Sequence, residues 1–470
     1  MRRIPASASM ILVGDIGFRL LGFIASVHLA RTLGGVAFGL VTVGFSFLTY
    51  AQSLGDLGIM ILGTRETARP REAREFQPSE ILLAKILLAA AVYPIAVAVL
   101  YLVYHDAASR NLLHLFLISL VPYALLLEWL HQGARNYGVL TAGKLLSGAV
   151  WAGGILLLVH SDRDLDTVPI LYLASYVATA LLLIVAGARR ERLLPTGIDW
   201  SVIGRLLRRG ATIGAASILG LSVLVLPPIV VERLGSASDA GLLGAVLKIV
   251  TIFLAADRLF VALFLPAISN RWSTRGKDLE RHLDTTFKGV LVLGFTIGIV
   301  ITLFAPVIFH VIYGQSIFGS VDDARNGAVL LSIVGWFVTA TLVNSFIAYT
   351  LVGIGEERGY LRANLLSGPF VVAAIVAGTL LWGLYGTVIA IVMAEVIITL
   401  FLYQYFRQHI SLPMALPLMA MVALTILTIG ASFFVGVESL WKLPLYLVSF
   451  AGLSTLMLGV SRQEIAWLRK

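Results

Sequence analysis

Long apolar stretches separated by short polar connections dominate the pattern of this chain. A helix needs roughly 20 mainly apolar residues to cross about 30 Å of hydrocarbon. About fourteen runs reach that length, so the pattern predicts about fourteen transmembrane helices. The runs at residues 361–381 and 383–406 are counted as two helices because a glycine-containing turn at residues 382–386 separates them. The runs cover residues 6–30, 35–63, 79–104, 112–133, 138–160, 167–187, 210–232, 241–268, 287–313, 327–353, 361–381, 383–406, 413–435 and 441–460.

The composition indicates that lipid is the solvent for most of the chain. Hydrophobic residues make up 59% of the 470 positions and charged residues 13%, whereas soluble proteins average about 45–50% and about 25%. The sequence contains no cysteine, which excludes thiol catalysis, disulfides and thiolate metal sites. The connections are short and contain no GxxxxGK[ST] motif. We therefore expect no nucleotide-binding domain, no cofactor and no metal.

The distribution of basic residues predicts the orientation of the helices. With the N terminus in the cytoplasm, most of the 35 Lys and Arg residues fall in cytoplasmic connections, in agreement with the positive-inside rule. Both termini are therefore expected in the cytoplasm, with the chain in the inner membrane. The net charge of +9 follows from this bias, so nucleic acid is not an expected partner. The basic connections at residues 189–209 and 270–288 are predicted to form amphipathic helices on the membrane surface.

A short motif recurs at the first helix–helix junction of each half of the chain. Residues 31–40 read Arg-Thr-Leu-Gly-Gly-Val-Ala-Phe-Gly-Leu, and residues 233–242 read Arg-Leu-Gly-Ser-Ala-Ser-Asp-Ala-Gly-Leu. The match reflects either the glycine turns common to membrane proteins or parallel repeats about a pseudo-two-fold axis along the membrane normal. The second interpretation predicts an all-α protein with two six-helix lobes. It assigns residues 1–190 to the first lobe, 191–209 to a cytoplasmic linker, 210–408 to the second lobe and 409–470 to two additional helices.

Six short motifs of small and polar residues lie at residues 31–34, 38–39, 56–58, 63–66, 128–133 and 383–387. Together they resemble those of bacterial polysaccharide flippases of the O-antigen type, in the multidrug/oligosaccharidyl-lipid/polysaccharide exporter superfamily. The resemblance implies transport of an undecaprenyl-diphosphate-linked oligosaccharide in lipopolysaccharide biosynthesis. It also implies contact with membrane lipids and partnership with a polysaccharide polymerase and a chain-length regulator.

Arginines at hydrocarbon depth are the first candidate site residues. A charge there costs about 2.5–3.5 kcal/mol on insertion scales and normally faces a cavity or a partner. Arg19 and Arg258 lie near the middle of the first and eighth predicted helices, and a guanidinium suits a diphosphate because it donates two parallel hydrogen bonds. Alternatively, Arg19 pairs with Asp15 one turn earlier. Asp257 points away from Arg258 around the helix and is a poorer partner.

Three lysines within the predicted helices have two interpretations each. Lys248 shares a small and polar stripe with Thr251, so it faces either the lumen or the outer interface. Lys85 and Lys144 lie near cytoplasmic helix ends. They either extend to the interface or form a basic vestibule that attracts the diphosphate.

Carboxylates at similar depth are candidates for coupling transport to a proton or sodium ion. Asp15, Asp56, Glu128 and Glu395 belong to this group. Asp56, Glu128 and Glu395 lie toward the cytoplasmic side, where Lys85 or Lys144 offers an alternative structural ion pair, the interpretation we favour.

These features favour a flippase that works by alternating access. A cation-coupled multidrug exporter of the same superfamily would need an acidic or apolar cavity, whereas the charges within these helices are mostly basic. A lipid II-type flippase is a second alternative. A membrane enzyme is disfavoured, because the outer loops are short and their acidic clusters are confined to residues 162–166 and 322–323.

Overall fold

The computed structural model describes residues 6–194, 197–272, 277–435, 450 and 452–454, and this part of the chain is almost entirely α-helical. Its other regular elements are two single-turn 3-10 helices and one isolated bridge between Ile317 and Ser320. The helices are α1 Ala6–Thr32, α2 Gly34–Asp56, α3 Ile59–Thr67, α4 Pro78–Val103, α5 Ala107–Ile118, α6 Leu120–Ala124, α7 Glu128–Gly133, α8 Tyr137–Leu158, α9 Thr167–Ala188, α10 Trp200–Leu234, α11 Ala237–Phe253, α12 Ala255–Trp272, α13 Lys277–Tyr313, α14 Val321–Val334, α15 Trp336–Gly353, α16 Glu357–His409 and α17 Ala415–Val435.

Each of the first thirteen predicted runs coincides with one or more of these helices. Within the described residues, ten helical segments are long and apolar enough to cross a membrane. One of the ten, α16, contains two predicted crossings. The fourteenth predicted run, at residues 441–460, lies outside the described residues apart from positions 450 and 452–454. The all-α membrane fold is thus confirmed.

A sharp reversal divides α16 at the predicted turn. Trp382 leaves the helical region at φ −135° and ψ 19°, and Gly383 adopts φ 56° and ψ −136°. An L side chain is excluded from the second conformation, so glycine is needed there. The two arms then pack together, with the Thr379 and Thr387 hydroxyls 2.8 Å apart. The predicted division of this segment into two helices is therefore confirmed.

A second break separates α2 from α3 and places a helix start inside the membrane-spanning segment. Leu57 has φ 41° and Gly58 has φ 80°, both in the left-handed region. The Asp56 side chain accepts a hydrogen bond of 3.3 Å from the Met60 amide, which satisfies one of the donors at the start of α3.

The predicted surface helices at residues 189–209 and 270–288 overlap the first turns of two long helices, and their location on the membrane surface stays a prediction. Asp199 caps α10 by accepting hydrogen bonds from the Ser201 and Val202 amides, and α10 then continues without interruption to Leu234. Likewise, α13 begins at Lys277 and runs to Tyr313. The helical part of each basic segment is thus continuous with the helix that follows.

The chain forms two compact units, Met1–Gly241 and Leu242–Lys470. In the first, the N-terminal turns of α10 enter the core through Ile203 and Leu206, beside Trp129 and Leu183. In the second, three phenylalanines pack around Phe346, with ring centroids 5.2–6.2 Å from its own: Phe264, Phe287 and Phe406. The proposed lobe boundaries at residues 190 and 210 stay a prediction.

Candidate functional site

The first unit encloses a cavity of about 310 Å³ with a charged lining. Five residues that the sequence singled out meet there from four separate segments of chain, namely Asp15, Arg19, Lys85, Glu128 and Lys144. The remaining lining residues are Phe18, Met60, Tyr123, Leu126, Trp129, Ser147, Tyr176 and Thr179. A cluster of charges inside a helical membrane domain is a functional-site candidate, because burying such groups is costly.

Close packing of α1 against α8 creates one side of the cavity. A Cβ at Gly14 would lie 3.1 Å from the Cα of Thr141, and a Cβ at Gly148 would lie 3.4 Å from the Cα of Phe18. Small residues at these positions let the two backbones approach. The approach brings the Lys144 ammonium into an ion pair with the Asp15 carboxylate.

Asp15 is therefore engaged by Lys144 rather than by Arg19, the partner considered from sequence. Arg19 lies one turn further along α1, is exposed and lines the cavity. Among the ion pairs of the described residues, none involves Arg19. Its guanidinium is thus available to an anion in the cavity.

Lys85 is buried in the cavity wall, with 3% of its side chain exposed, so it does not extend to the membrane interface. Its Nζ lies 3.8 Å from Oδ1 of Asp56 and 4.6 Å from the centre of the Tyr123 ring. Glu128 adds a second negative charge nearby. Asp56 thus forms the structural pair with Lys85 that we favoured, and a cation–π contact supports the lysine.

Aromatic and hydroxyl groups of the lining were not identified from sequence. Tyr176 accepts a hydrogen bond of 3.2 Å from the Gln52 amide, and its hydroxyl lies 2.9 Å from that of Tyr172. Tyr123 and Tyr176 form a tilted ring pair with centroids 6.2 Å apart. Aromatic residues at helical spacing resemble an ordinary core, so the pattern gave no reason to select them. Ser147 lies one turn from Lys144 on the same face of α8, so helical spacing could have identified it as a lining residue.

The second unit contains the other candidates. Arg258 is exposed. It lies in the first turn of α12 and not in the middle of a helix, because the eighth predicted helix is interrupted between α11 and α12. Lys248 on α11 is also exposed. Glu395 on α16 is buried at 8% exposure, and its charged neighbour is Asp257 rather than a lysine. A substrate role for Arg258 and Lys248, and ion coupling by Glu395, stay predictions.

Several family-like motif residues form packing contacts outside the cavity. A Cβ at Gly63 would lie 2.8 Å from the Trp129 ring, and a Cβ at Gly133 would lie 2.6 Å from the Thr64 carbonyl oxygen. Glu66 is buried and accepts hydrogen bonds from Arg69 and from the Glu75 amide. These motifs fix how α3 meets α7 and the loop that follows α3.

In the described part of the chain, no group of three or more His, Cys, Asp or Glu side chains is arranged to hold a metal ion. The chemistry available in the cavity is therefore that of its ion pairs, its exposed guanidinium and its hydroxyl groups. Such a lining can bind an anionic, hydrogen-bonding ligand.

Comparison with solved structures identifies the fold. A structure described as the lipid II flippase MurJ in an inward closed conformation matches with a TM-score of 0.71 and 13% identity, over 96% of this chain and 97% of that chain. An inward-facing multidrug resistance MATE family transporter of the MOP superfamily matches with a TM-score of 0.68 and 14% identity, over 85% and 97%. An outward-facing MATE transporter of that superfamily gives a TM-score of 0.60 and 13% identity, over 85% and 93%.

No curated protein matches the chain in a sequence search. The solved structures that it resembles are those of a flippase and of transporters. A family model described as "Polysaccharide biosynthesis protein" matches residues 5–272, more than half of the chain. The chain therefore belongs to the polysaccharide biosynthesis protein family, and it has the fold of the MurJ flippase and of the MATE transporters.

Proposed function

We propose that this protein translocates an undecaprenyl-diphosphate-linked oligosaccharide, a polysaccharide repeat unit, across the bacterial inner membrane by alternating access. The observation that carries the proposal is the exposure of Arg19 to a membrane-embedded cavity. Asp15, the nearby carboxylate on α1, forms its ion pair with Lys144. A guanidinium remains charged at any physiological pH and binds a diphosphate with two parallel hydrogen bonds.

Two ion pairs next to Arg19 support the proposal. Lys144 and Lys85 line the same cavity, and each is paired with one carboxylate. An incoming diphosphate carries more charge than a single carboxylate and so competes for both ammonium groups. The hydroxyl-bearing part of the lining, which includes Ser147 and Tyr176, suits the first sugar.

Within this proposal the prenyl tail stays in lipid while the diphosphate and sugars enter the cavity. The lobes at residues 1–190 and 210–408 rock against each other, with both termini in the cytoplasm. The O-antigen class of substrate, and the polymerase and chain-length regulator as partners, follow from the sequence resemblance. Membrane potential, ion antiport and removal of product by polymerisation are all compatible driving forces.

Complementation of a strain that lacks its own copy of this gene tests the proposal. The readouts are surface polysaccharide and the accumulation of lipid-linked oligosaccharide in the cytoplasmic leaflet. Arg19→Ala should abolish export, and Arg19→Lys should restore only part of it because the planar fork is lost. Arg163→Ala is the matched control, since this arginine lies in an exposed loop outside the cavity.

Full export by the Arg19→Ala variant at equal expression would show that this guanidinium does not bind the substrate. Unchanged polysaccharide with raised drug sensitivity in the deletion strain would favour the multidrug exporter. Lysis with accumulated peptidoglycan precursor would instead favour lipid II as the cargo.

A further inference from the structure

Asp56 lies where the cavity meets the break between α2 and α3. One carboxylate oxygen accepts from the Met60 amide at 3.3 Å. The other oxygen, Oδ1, is buried and has no hydrogen-bond partner, and Lys85 approaches it only to 3.8 Å. This separation is too long for a hydrogen bond. The carboxylate is therefore held in place by one long hydrogen bond and one loose ion pair.

The backbone that follows Asp56 is the surface on which α10 rests. A Cβ at Gly214 would lie 2.5 Å from the carbonyl carbon of Leu57, and a Cβ at Gly210 would lie 2.8 Å from its oxygen. Leu57 itself adopts φ 41°, a conformation that is unfavourable for a branched side chain and persists only when its surroundings impose it. The contact with α10 thus depends on the shape of this break.

A nearby ion pair marks the same contact at the surface. Arg209, the residue before Gly210, donates a hydrogen bond of 2.5 Å to the Glu75 carboxylate, and its guanidinium lies 5.7 Å from the centre of the Phe76 ring. Glu75 and Phe76 belong to the connection between α3 and α4. Any movement of α10 away from the break separates Arg209 from Glu75.

We propose that Asp56 is a positioning residue that couples ligand binding in the cavity to the packing of α10 against Leu57. A diphosphate in the cavity draws Lys85 away from Asp56, and the buried carboxylate is left without a counter-charge beside the first turn of α3. The break then rearranges and α10 loses its contact with Leu57. This inference rests on the proposed function, because it needs an anionic head group in the cavity.

The physical basis is the cost of an unpaired buried charge. Breaking a buried ion pair by removing one partner is strongly unfavourable, so the carboxylate must move or gain a proton. Glu128, which also lies near Lys85, is negative and cannot replace the lysine as a partner for Asp56. Rearrangement of the break relieves both the unpaired charge and the left-handed conformation of Leu57.

The absence of cysteine makes a crosslinking test direct. In the full chain, Glu75→Cys and Arg209→Cys together report the α10 contact through the rate of crosslinking by a short bismaleimide, which spans the length of the two replaced side chains. The probe is undecaprenyl diphosphate, added to purified protein in liposomes, and its binding is measured separately by equilibrium titration. With Asp56 intact, saturating probe should slow crosslinking about fivefold or more, which is the lower range of typical coupling between sites.

In the same background, Asp56→Asn should crosslink as fast as the unsubstituted Asp56 protein without probe and show no slowing when probe is added, because the neutral amide leaves no unpaired charge. It should also bind the probe more tightly, because Lys85 no longer has a competing carboxylate. A purely structural role would not raise the affinity. Asp56→Glu should recover part of the response, and it keeps the test usable if the asparagine variant folds poorly. Asp15→Asn is the matched control, since Asp15 also pairs a cavity lysine but does not adjoin the break.

If the probe binds and slows crosslinking equally in the Asp56→Asn variant, the coupling is wrong and the proposed function stands. If the probe does not bind the unsubstituted chain, the proposed function and the coupling are both overturned.

Discussion

Gly39 and Gly241 pack against each other, and they hold the same place in the two similar motifs at residues 31–40 and 233–242. The contact is reciprocal. A Cβ at Gly241 would lie 2.6 Å from the carbonyl oxygen of Gly35, and a Cβ at Gly39 would overlap the carbonyl oxygen of Ala237. Gly35 and Ala237 are also equivalent positions of the motifs. Such reciprocity is what a two-fold axis between the motifs produces, and it supports their interpretation as a repeat.

Replacing either glycine should destabilise the protein. Gly39→Val and Gly241→Val each force the facing backbones apart, with an expected loss of about 1–3 kcal/mol. The measurement is thermal unfolding of the purified protein in detergent. Gly22→Ala is the control, because a Cβ there would meet nothing within 4 Å. Equal melting temperatures for Gly39→Val and the control would show that the packing is not required.

The Asp15–Lys144 ion pair should show energetic coupling in a double-mutant cycle of Asp15→Asn and Lys144→Gln. The side chains are 38% and 23% exposed, so solvent reduces the expected coupling to about 0.5–1 kcal/mol. The readout is again the melting temperature. The Arg325–Asp322 pair, exposed at 78% and 87% with atoms 4.0 Å apart, is the control and should show no measurable coupling. Strict additivity at Asp15 and Lys144 would contradict the contribution of this ion pair to stability.

The start of α10 should loosen at low pH. Hydrogen bonds from the Ser201 side chain and amide hold the pKa of the Asp199 carboxyl below its ordinary value of 3.8. Because this pKa is lower in the folded chain, the cap contributes fully above that ordinary value and is lost as the pH falls through the folded-state pKa. Hydrogen exchange at Ser201 and Val202, corrected for intrinsic rates, should therefore accelerate at acid pH.

In Asp199→Ala, the Ser201 and Val202 amides should already exchange faster at neutral pH. Lowering the pH should not accelerate their corrected rates further. Ser201→Ala removes the side-chain donor and should move the onset to higher pH. Exchange that is identical in the native chain and in Asp199→Ala across the pH range would contradict the cap.

Substitutions at the α3–α7 contact should affect stability and leave substrate affinity unchanged. Gly133→Ala places a Cβ 2.6 Å from the Thr64 carbonyl oxygen and should cost about 1–3 kcal/mol. Melting temperature and probe affinity are measured on the same preparations. Gly138→Ala, whose Cβ would meet nothing within 4 Å, is the control. A loss of affinity at full stability would indicate that this motif contacts the substrate.

The sequence by itself determined that the chain is a membrane protein, its all-α class and the approximate position of thirteen of the predicted helical runs. These properties depend on local apolar length, and a break such as the one at Gly383 depends on local backbone conformation. It also identified the costly charges, since an ionisable residue within an apolar run is visible without any coordinates. Five of those charges meet in one cavity.

Tertiary structure decided which charges are partners. Asp15 had Arg19 as its nearest candidate along α1, yet the glycine-mediated approach of α8 places Lys144 beside it. Lys85 had a short path to the interface, yet packing buried it between Asp56 and Tyr123. Spacing along one helix defines a face, whereas the atoms opposite that face come from residues distant in sequence. The ion pairs, the burial of Lys85 and the contact of α10 with Leu57 therefore depend on how the helices pack together.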